Sequence, residues 1–519
     1  MSLLTWNSCP VLLIAAWAIV ESLPLFHRPW RQAPGWKIMA WFFRPLAFWG
    51  LYNSVVRYFE SYGFNDRTTF PFAFAPWHDN EPWGVTFQRL AISHDFWMGS
   101  AAVFLLGILL IMVCRWFIST PMTRARVTLA LGWLVLLNIA MPLAYNCLPA
   151  GAEDPLENKG SFLHAWFDSG NTMLYCMPHI PNKSQYLKHF GEIQPSLRAS
   201  IHGVTHPPGA SLALYWLGKP FGATQNIGQD RLRYMIGTTV FAALAVLAVF
   251  FLGRVVTGSP VIGLMAAALW AVKPATLAYN TFAPDTVYTV FNILCLAFIW
   301  IVATAAKRPW VAMVGLGLTL YVLTMLNFNW ILFGGIFGLF LTLQAWHERW
   351  TIQEWCVRWI VPAGLMGAAL LWTCVSYHLD YWAIFRTSLD YTRGFYQMAN
   401  AYQWIIAMIG GPLDLFLLSG SVVAFLFWRR FPVEAKRAIH SPLVIYLLSL
   451  LAVYLVTALS VNILKMESSR VWAWVSALPL VFVAQVLHRS THPRFYFLMA
   501  IALAMLQYYA MQLFLTPCG

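Results

Sequence analysis

The run Ile201-His202-Gly203-Val204-Thr205-His206-Pro207-Pro208-Gly209 closes the longest polar interval of the chain, from about Leu148 to His206. Into that interval fall Glu153, Asp154, Glu157, His164, Asp168, His179, His189, Glu192, Arg198, His202 and His206. A connector between membrane helices needs only a few turn residues. This one is long and rich in groups that titrate, hold metals or bind phosphates. It reads as the active-site loop of an enzyme set in a membrane.

Around that loop the sequence is apolar. Of 519 residues, 60% are hydrophobic and 10% charged, whereas soluble domains carry about 25% charged residues. Several stretches approach the roughly 20 apolar residues that cross a hydrocarbon core, and none shows the short alternating segments of a membrane barrel. The expected fold is an all-α polytopic membrane protein of about 13–14 transmembrane helices, with a long extracytoplasmic first core loop that contains short surface helices. The net charge of +13 is the signature of basic cytoplasmic turns rather than of nucleic-acid binding. The eight cysteines form no Cys-x-x-Cys pair, which argues against a structural zinc site. Cys147 and Cys176, at and in the loop, are placed for a disulfide in an oxidising compartment.

The first apolar run, about 9–26, lacks a basic leader and is kept as a membrane helix. The run 36–56 carries Arg44 in its middle and suits either a span or an interfacial helix. Spans are expected near 96–117 and 127–147, separated by Arg115, Arg124 and Arg126 without an acid, so the long loop lies opposite the cytoplasm. A surface helix or half-span follows His206 and ends by Pro220. Further spans are expected near 234–252, 261–277, 285–305, 311–326, 331–345, 360–376, 405–427, 443–461, 471–487 and 497–515. Arg254, Lys307/Arg308, His347/Arg349/Arg358, Arg429/Arg430/Lys436/Arg437 and His488/Arg489/Arg494 punctuate every second turn, all on the cytoplasmic side. Tyr381 to Met398 alternates aromatic and charged residues at helical spacing, fit for the headgroup plane.

Five constellations carry chemistry. Glu153-Asp154, at the start of the loop, suits a divalent cation or a general base, and equally a solvated Asp-Pro turn. Asp168, in a Ser-Gly-Asn context, has the composition of a turn. His202 and His206 are spaced i,i+4, but Pro207 pushes His206 out of the α region, so a phosphate or a sugar hydroxyl competes with a metal as their ligand. Asp285 is placed to cap the helix it begins. Lys465, Glu467 and Arg470 flank another external span start, where an arginine fork matches phosphate oxygens or simply snorkels.

In order and spacing, "THPPGASLALYWLGKPFG" (205–222), "DRLRYMIG" (230–237), Arg254, "FAPDTVYTVF" (282–291) and "ESSRVWAW" (467–474) resemble the polyprenyl-phosphate-dependent glycosyltransferases of the GT-C superfold. The 4-amino-arabinose and protein O-mannosyl transferases belong to that group. The resemblance covers about 127–487. It implies an early acidic residue in the loop as catalytic base or metal ligand, which maps onto Asp154 with Glu153, and Asp168 is a rival. It divides the chain into N-terminal helices and a polar segment (1–120), a catalytic core (121–490) with the loop 148–206, and a C-terminal helix (491–519).

The function expected is transfer of a sugar from a polyprenyl-phosphate donor to a glycan, lipid or protein acceptor, on the extracytoplasmic face of a bacterial inner membrane. Catalysis would fall to Asp154, Glu153 or Asp168. Substrate binding would fall to His202, His206, Asp285, Arg470, Glu467, Lys465 and Arg198. A divalent metal ion is a possible cofactor, with Glu153, Asp154 and His206 as candidate ligands. The alternative is a transporter or lipid flippase, which requires charges buried along a pathway; Arg44, Glu21 and Lys273 are the few ionisable groups near apolar interiors, and each lies close to an expected span end. A non-catalytic scaffold would not need the acid-rich loop. The topology has a direct test. A cysteine placed at Ser184, in a chain without its native cysteines, should react with a membrane-impermeant thiol reagent in intact cells. Labelling only after lysis would reverse the orientation.

Overall fold

The computed structural model describes residues 15–21, 33–61, 94–146, 176, 180, 182–199, 201–224, 227–280, 285–395, 409, 411–413, 415–460 and 472–514. Among them the secondary structure is helical throughout. Six helices are long and apolar enough to cross a membrane alone: Gly99–Ser119, Arg124–Tyr145, Leu232–Thr257, Asp285–Thr304, Trp330–Glu348 and Ile352–Tyr377. A bent pair, Gly411–Leu417 with Ser421–Arg437, raises this to seven if it counts as one span. Shorter apolar helices at Pro260–Val272, Trp310–Leu326, Pro442–Thr457 and Ala473–His488 coincide with further expected spans. The chain is a multi-pass membrane protein. Its outer helices leave apolar side chains uncovered, as on Leu105, Ile108 and Met112 or Ile360, Leu371 and Trp372, which is the surface that hydrocarbon solvates.

Helix α1 (Pro34–Ser61) runs unbroken through Arg44, and Arg44 Nε meets Glu21 Oε1 at 2.5 Å. That partner explains how a charge sits in the middle of an apolar run. Trp41 of α1 packs on Tyr496 and Phe425, with ring centroids 5.1 and 6.3 Å away. Helices α2 (His94–Ser119) and α3 (Arg124–Asn146) pack together, and Phe117 lies 6.0 Å from Phe497. The N-terminal and C-terminal helices therefore share one apolar core with the rest.

The loop contributes α4 (Lys183–Ile193), capped by the Asn182 side chain accepting from Gln185 N, then a 3-10 turn (Gln194–Ala199), α5 (Ile201–Thr205) and α6 (Pro208–Gly218). A helix follows His206 as expected, with Ala210, Leu214 and Tyr215 buried. It stops where Pro220 follows and Gly222 takes φ +79°.

The core then runs α7 (Ile227–Ala242), α8 (Ala245–Thr257), α9 (Pro260–Val272), α10 (Pro274–Tyr279), α11 (Asp285–Thr304), α12 (Trp310–Leu326), α13 (Trp330–Glu348) and α14 (Ile352–Tyr377). Boundaries follow local chemistry. Gly258 ends α8 in the left-handed region and Ser259 caps α9 ahead of Pro260. Thr351 and Glu354 form a capping box on α14. Arg358 is buried: its guanidinium lies 4.0 Å from the Trp350 ring and donates to the carbonyls of Val302 and Ala305 at the end of α11. One member of a basic cluster is therefore a helix cap.

The amphipathic segment is α15 (Tyr381–Phe395). After it come α16 (Ser421–Arg437), α17 (Pro442–Ser460), α18 (Ala477–His488) and α19 (Pro493–Phe514). Two expected spans are broken rather than continuous. The run 405–427 breaks before Ser421, where Gly420 has φ +102°. The run 261–277 breaks at Lys273.

At the mouth of α7, the Asp230 side chain is fully buried. It accepts from Thr224 Oγ1 at 2.6 Å, from the Thr224 amide, and from Arg233 at 2.7 Å. Burial works against the carboxylate, but the hydrogen bonds from Thr224 and then the Arg233 charge hold its pKa below the usual aspartate value. A depressed folded pKa stabilises the fold fully above the unfolded value, near 3.9, and that contribution is lost as pH falls through the folded pKa. Asp230→Asn should lower thermal stability in detergent at pH 7 by on the order of 1–3 kcal/mol. The deficit should shrink as the pH is taken below about 4; one that stays constant down to acid pH would assign it to packing.

Candidate functional site

Polar chemistry concentrates where the loop returns to the bundle. Gln194 is buried and its Nε2 donates to Val204 O at 2.7 Å, Ser388 Oγ at 3.0 Å and Ile384 O at 3.3 Å. Ser388 Oγ also donates to Val204 O at 3.0 Å. These bonds fasten α5, which carries His202, to the amphipathic α15. Tyr381 of α15 in turn donates to Thr324 O at 2.8 Å, and Phe385 lies 5.1 Å from Phe328. Two segments about 180 residues apart thus form one layer over the ends of α12 and α13.

His206 follows α5, outside the helix, and Pro207 is extended at ψ 162°. The steric effect of proline on its predecessor has removed His206 from the helical register of His202. The half-buried His206 ring instead lies 5.5 Å from Tyr288, with Thr205 Oγ1 3.1 Å from its Nδ1. Tyr288 and Asp285 are three residues apart on α11 and share a face. Asp285 is 4% exposed and sits in the first turn of α11, where the helix dipole favours a carboxylate. His206 and Asp285 are therefore served by the same helix face. Gly209 makes this docking possible: a Cβ there would overlap the carbonyl of Met325 at the end of α12.

Beneath this layer lies a group that sequence reasoning placed near a span end. Lys273 is 1% exposed. Pro274 forces it extended, at φ −61° and ψ 139°, which ends α9 and starts α10. Its Nζ donates to Ala473 O at 2.9 Å and Ser476 Oγ at 3.0 Å, and stands 3.4 Å from the centre of the Trp270 ring. The broken helix finds other partners as well. The amide of Ala275 donates to Leu418 O at 3.0 Å, and Asn138 Nδ2 donates to Ala271 O at 3.3 Å. Asn280 Nδ2 then donates to Asn138 Oδ1 at 3.1 Å. The Lys-Pro pair inside an apolar run was the signal that could have found this centre.

Of the residues singled out in the sequence, His206 and Asp285 are brought near one another through Tyr288. His202 lies on α5 and Arg198 in the 3-10 turn before it. Glu153, Asp154, Asp168, Lys465, Glu467 and Arg470 lie outside the described residues. So does Cys147, but Cys176 is a buried free thiol, its pKa pushed up to about 12 by burial. Cys176 is packed in the core beside Tyr186, and the disulfide expected with Cys147 falls on a residue outside the described ones. Among the described residues no three His, Cys, Asp or Glu side chains converge on a common metal position. No protein-family model matches the chain, and no curated protein matches it.

The close approach at Gly209 is testable. Gly209→Ala should push α6 off α12 and cost about 1–3 kcal/mol, the range for overpacking. Amide exchange in 201–218 should rise more than in α8. Unchanged exchange there would mean that the docking tolerates a methyl group.

Proposed function

We propose that this chain is a membrane glycosyltransferase that moves a sugar from a polyprenyl-phosphate donor to an acceptor hydroxyl on the extracytoplasmic side of a bacterial inner membrane. One observation carries the reading: the end of the long acid-rich loop seats His206 on the α11 face that Asp285 opens, at the same end of the bundle as the surface helix α15. An amphipathic helix at that level suits a donor whose lipid stays in the membrane while its phosphosugar enters a polar site. The order of motifs shared with GT-C enzymes supports the same assignment.

In this reaction Asp154 takes the proton from the acceptor hydroxyl, and the acceptor oxygen attacks the anomeric carbon from the face opposite the phosphate. The bond from that carbon to the phosphate oxygen breaks, and the lipid phosphate leaves with the electron pair. Arg470 stabilises the departing charge, with Lys465 and Glu467 as further substrate-binding residues. Glu153 keeps a second carboxylate beside Asp154, which raises the pKa of one of them toward neutrality. Glu153, Asp154 and His206 would hold a divalent ion if the reaction uses one. His202, His206, Arg198 and Asp285 bind the phosphosugar or the acceptor, a hydroxyl of a glycan, lipid or protein.

The second reading, a transporter or lipid flippase, rests on Lys273, an ionisable group enclosed between broken helices. The two readings separate in a single assay on the purified chain with polyprenyl-phosphate sugars. Asp154→Asn should abolish release of polyprenyl phosphate while the protein stays folded and retains donor binding. Asp168→Asn should keep measurable activity. No release by the unsubstituted chain with any such donor, together with movement of lipid across vesicles, would favour transport.

A further inference from the structure

A cavity of about 550 Å³ opens at the other end of the bundle, where the basic turns gather. Its walls come from α1, α8, α11, α16, the first turn of α17 and the last turn of α18. This is within the size range of small-ligand sites, and its lining combines two chemistries. Its apolar lining includes Trp41, Leu426, Leu443 and Phe482. Its polar lining includes Arg430, Arg489, Glu434, Ser441 and Ser490. Neither arginine forms an ion pair with a described residue, although Glu434 stands one turn from Arg430 on α16. Arg429, Lys436, Arg437 and His488 add to the positive field at this end.

We infer that this cavity binds the headgroup of an anionic phospholipid, specifically a glycerol phosphodiester, from the leaflet at the basic end of the bundle. Two guanidinium groups without a carboxylate partner match a phosphodiester, since the planar fork presents paired donors to its oxygens. Glu434 is left as an acceptor for a headgroup hydroxyl. The aromatic and aliphatic lining suits the glycerol backbone and the first methylenes of the acyl chains, which a free phosphate does not have. The cavity lies at the seam between α1 and the core, because Trp41 both lines it and packs on Tyr496 and Phe425. A lipid there would tie the N-terminal helix to the bundle, a role separate from the loop at the opposite end.

The test uses the full chain purified in detergent and titrated with phosphatidylglycerol, phosphatidylcholine or inorganic phosphate. Thermal unfolding and native mass spectrometry report binding. Phosphatidylglycerol should raise the unfolding temperature in a concentration-dependent way and remain bound, as linkage requires for a ligand of the folded state. Phosphatidylcholine and inorganic phosphate should do neither. The variant R430Q/R489Q should bind phosphatidylglycerol at least about tenfold more weakly, given the worth of charged hydrogen bonds. R429Q removes a neighbouring charge that does not line the cavity, and it should bind as the unsubstituted chain does. If the double variant fails to fold, the single variant R489Q should show a reduced response. Equal responses in R489Q and R429Q, an equal response to phosphatidylcholine, or the same shift with inorganic phosphate alone would each overturn the proposal.

Discussion

Inside a bilayer no water is available to a backbone group that loses its helical partner, so every break in a spanning helix must be satisfied by protein. The interior of this bundle depends on how that is met at Lys273-Pro274. Proline removes one amide and turns the preceding residue extended. The amide of Ala275 and the carbonyl of Ala271 are then served by Leu418 and Asn138, from two other parts of the chain. The lysine that the break exposes is served by a third part, Ala473 and Ser476, and by the Trp270 ring. Three remote segments are thereby pinned to one point.

The consequence for function is positional. From its start at Pro260, α9 rises roughly 20 Å through thirteen helical residues before the break. The partial helices α9 and α18 both have a terminus beside Lys273, which follows Val272 and donates to Ser476. On the other side, α10 leads to Asn280 and then to Asp285. A buried lysine of this kind has a structural duty that is complete on its own.

A second constraint acts at the loop end. The layer of α5 and α15 is joined by Gln194 and Ser388, both buried and both using their donors on backbone carbonyls. Polar side chains at such positions make the arrangement specific, because any other pairing would leave the carbonyl of Val204 without a donor. The amphipathic pattern of α15 explains why it lies at a surface; it does not explain why it lies on this one.

The sequence by itself determined what depends on local composition. Long apolar runs require spanning helices, so the all-helical, multi-pass architecture was legible, as were the span from Asp285, the helix after His206 and the amphipathic helix from Tyr381. Pro207 alone was enough to take His206 out of register with His202. What only the tertiary structure decided involves partners far apart in the chain. Lys273 looked like a residue near a span end because its solvation by Ala473, Ser476 and Trp270 comes from packing, not from its neighbours in sequence alone. Arg44 was ambiguous until Glu21 was beside it, and Cys176, in a polar loop by sequence, is packed in the core. Burial and pairing are sums over the whole fold, whereas helix formation in a membrane is set within one segment.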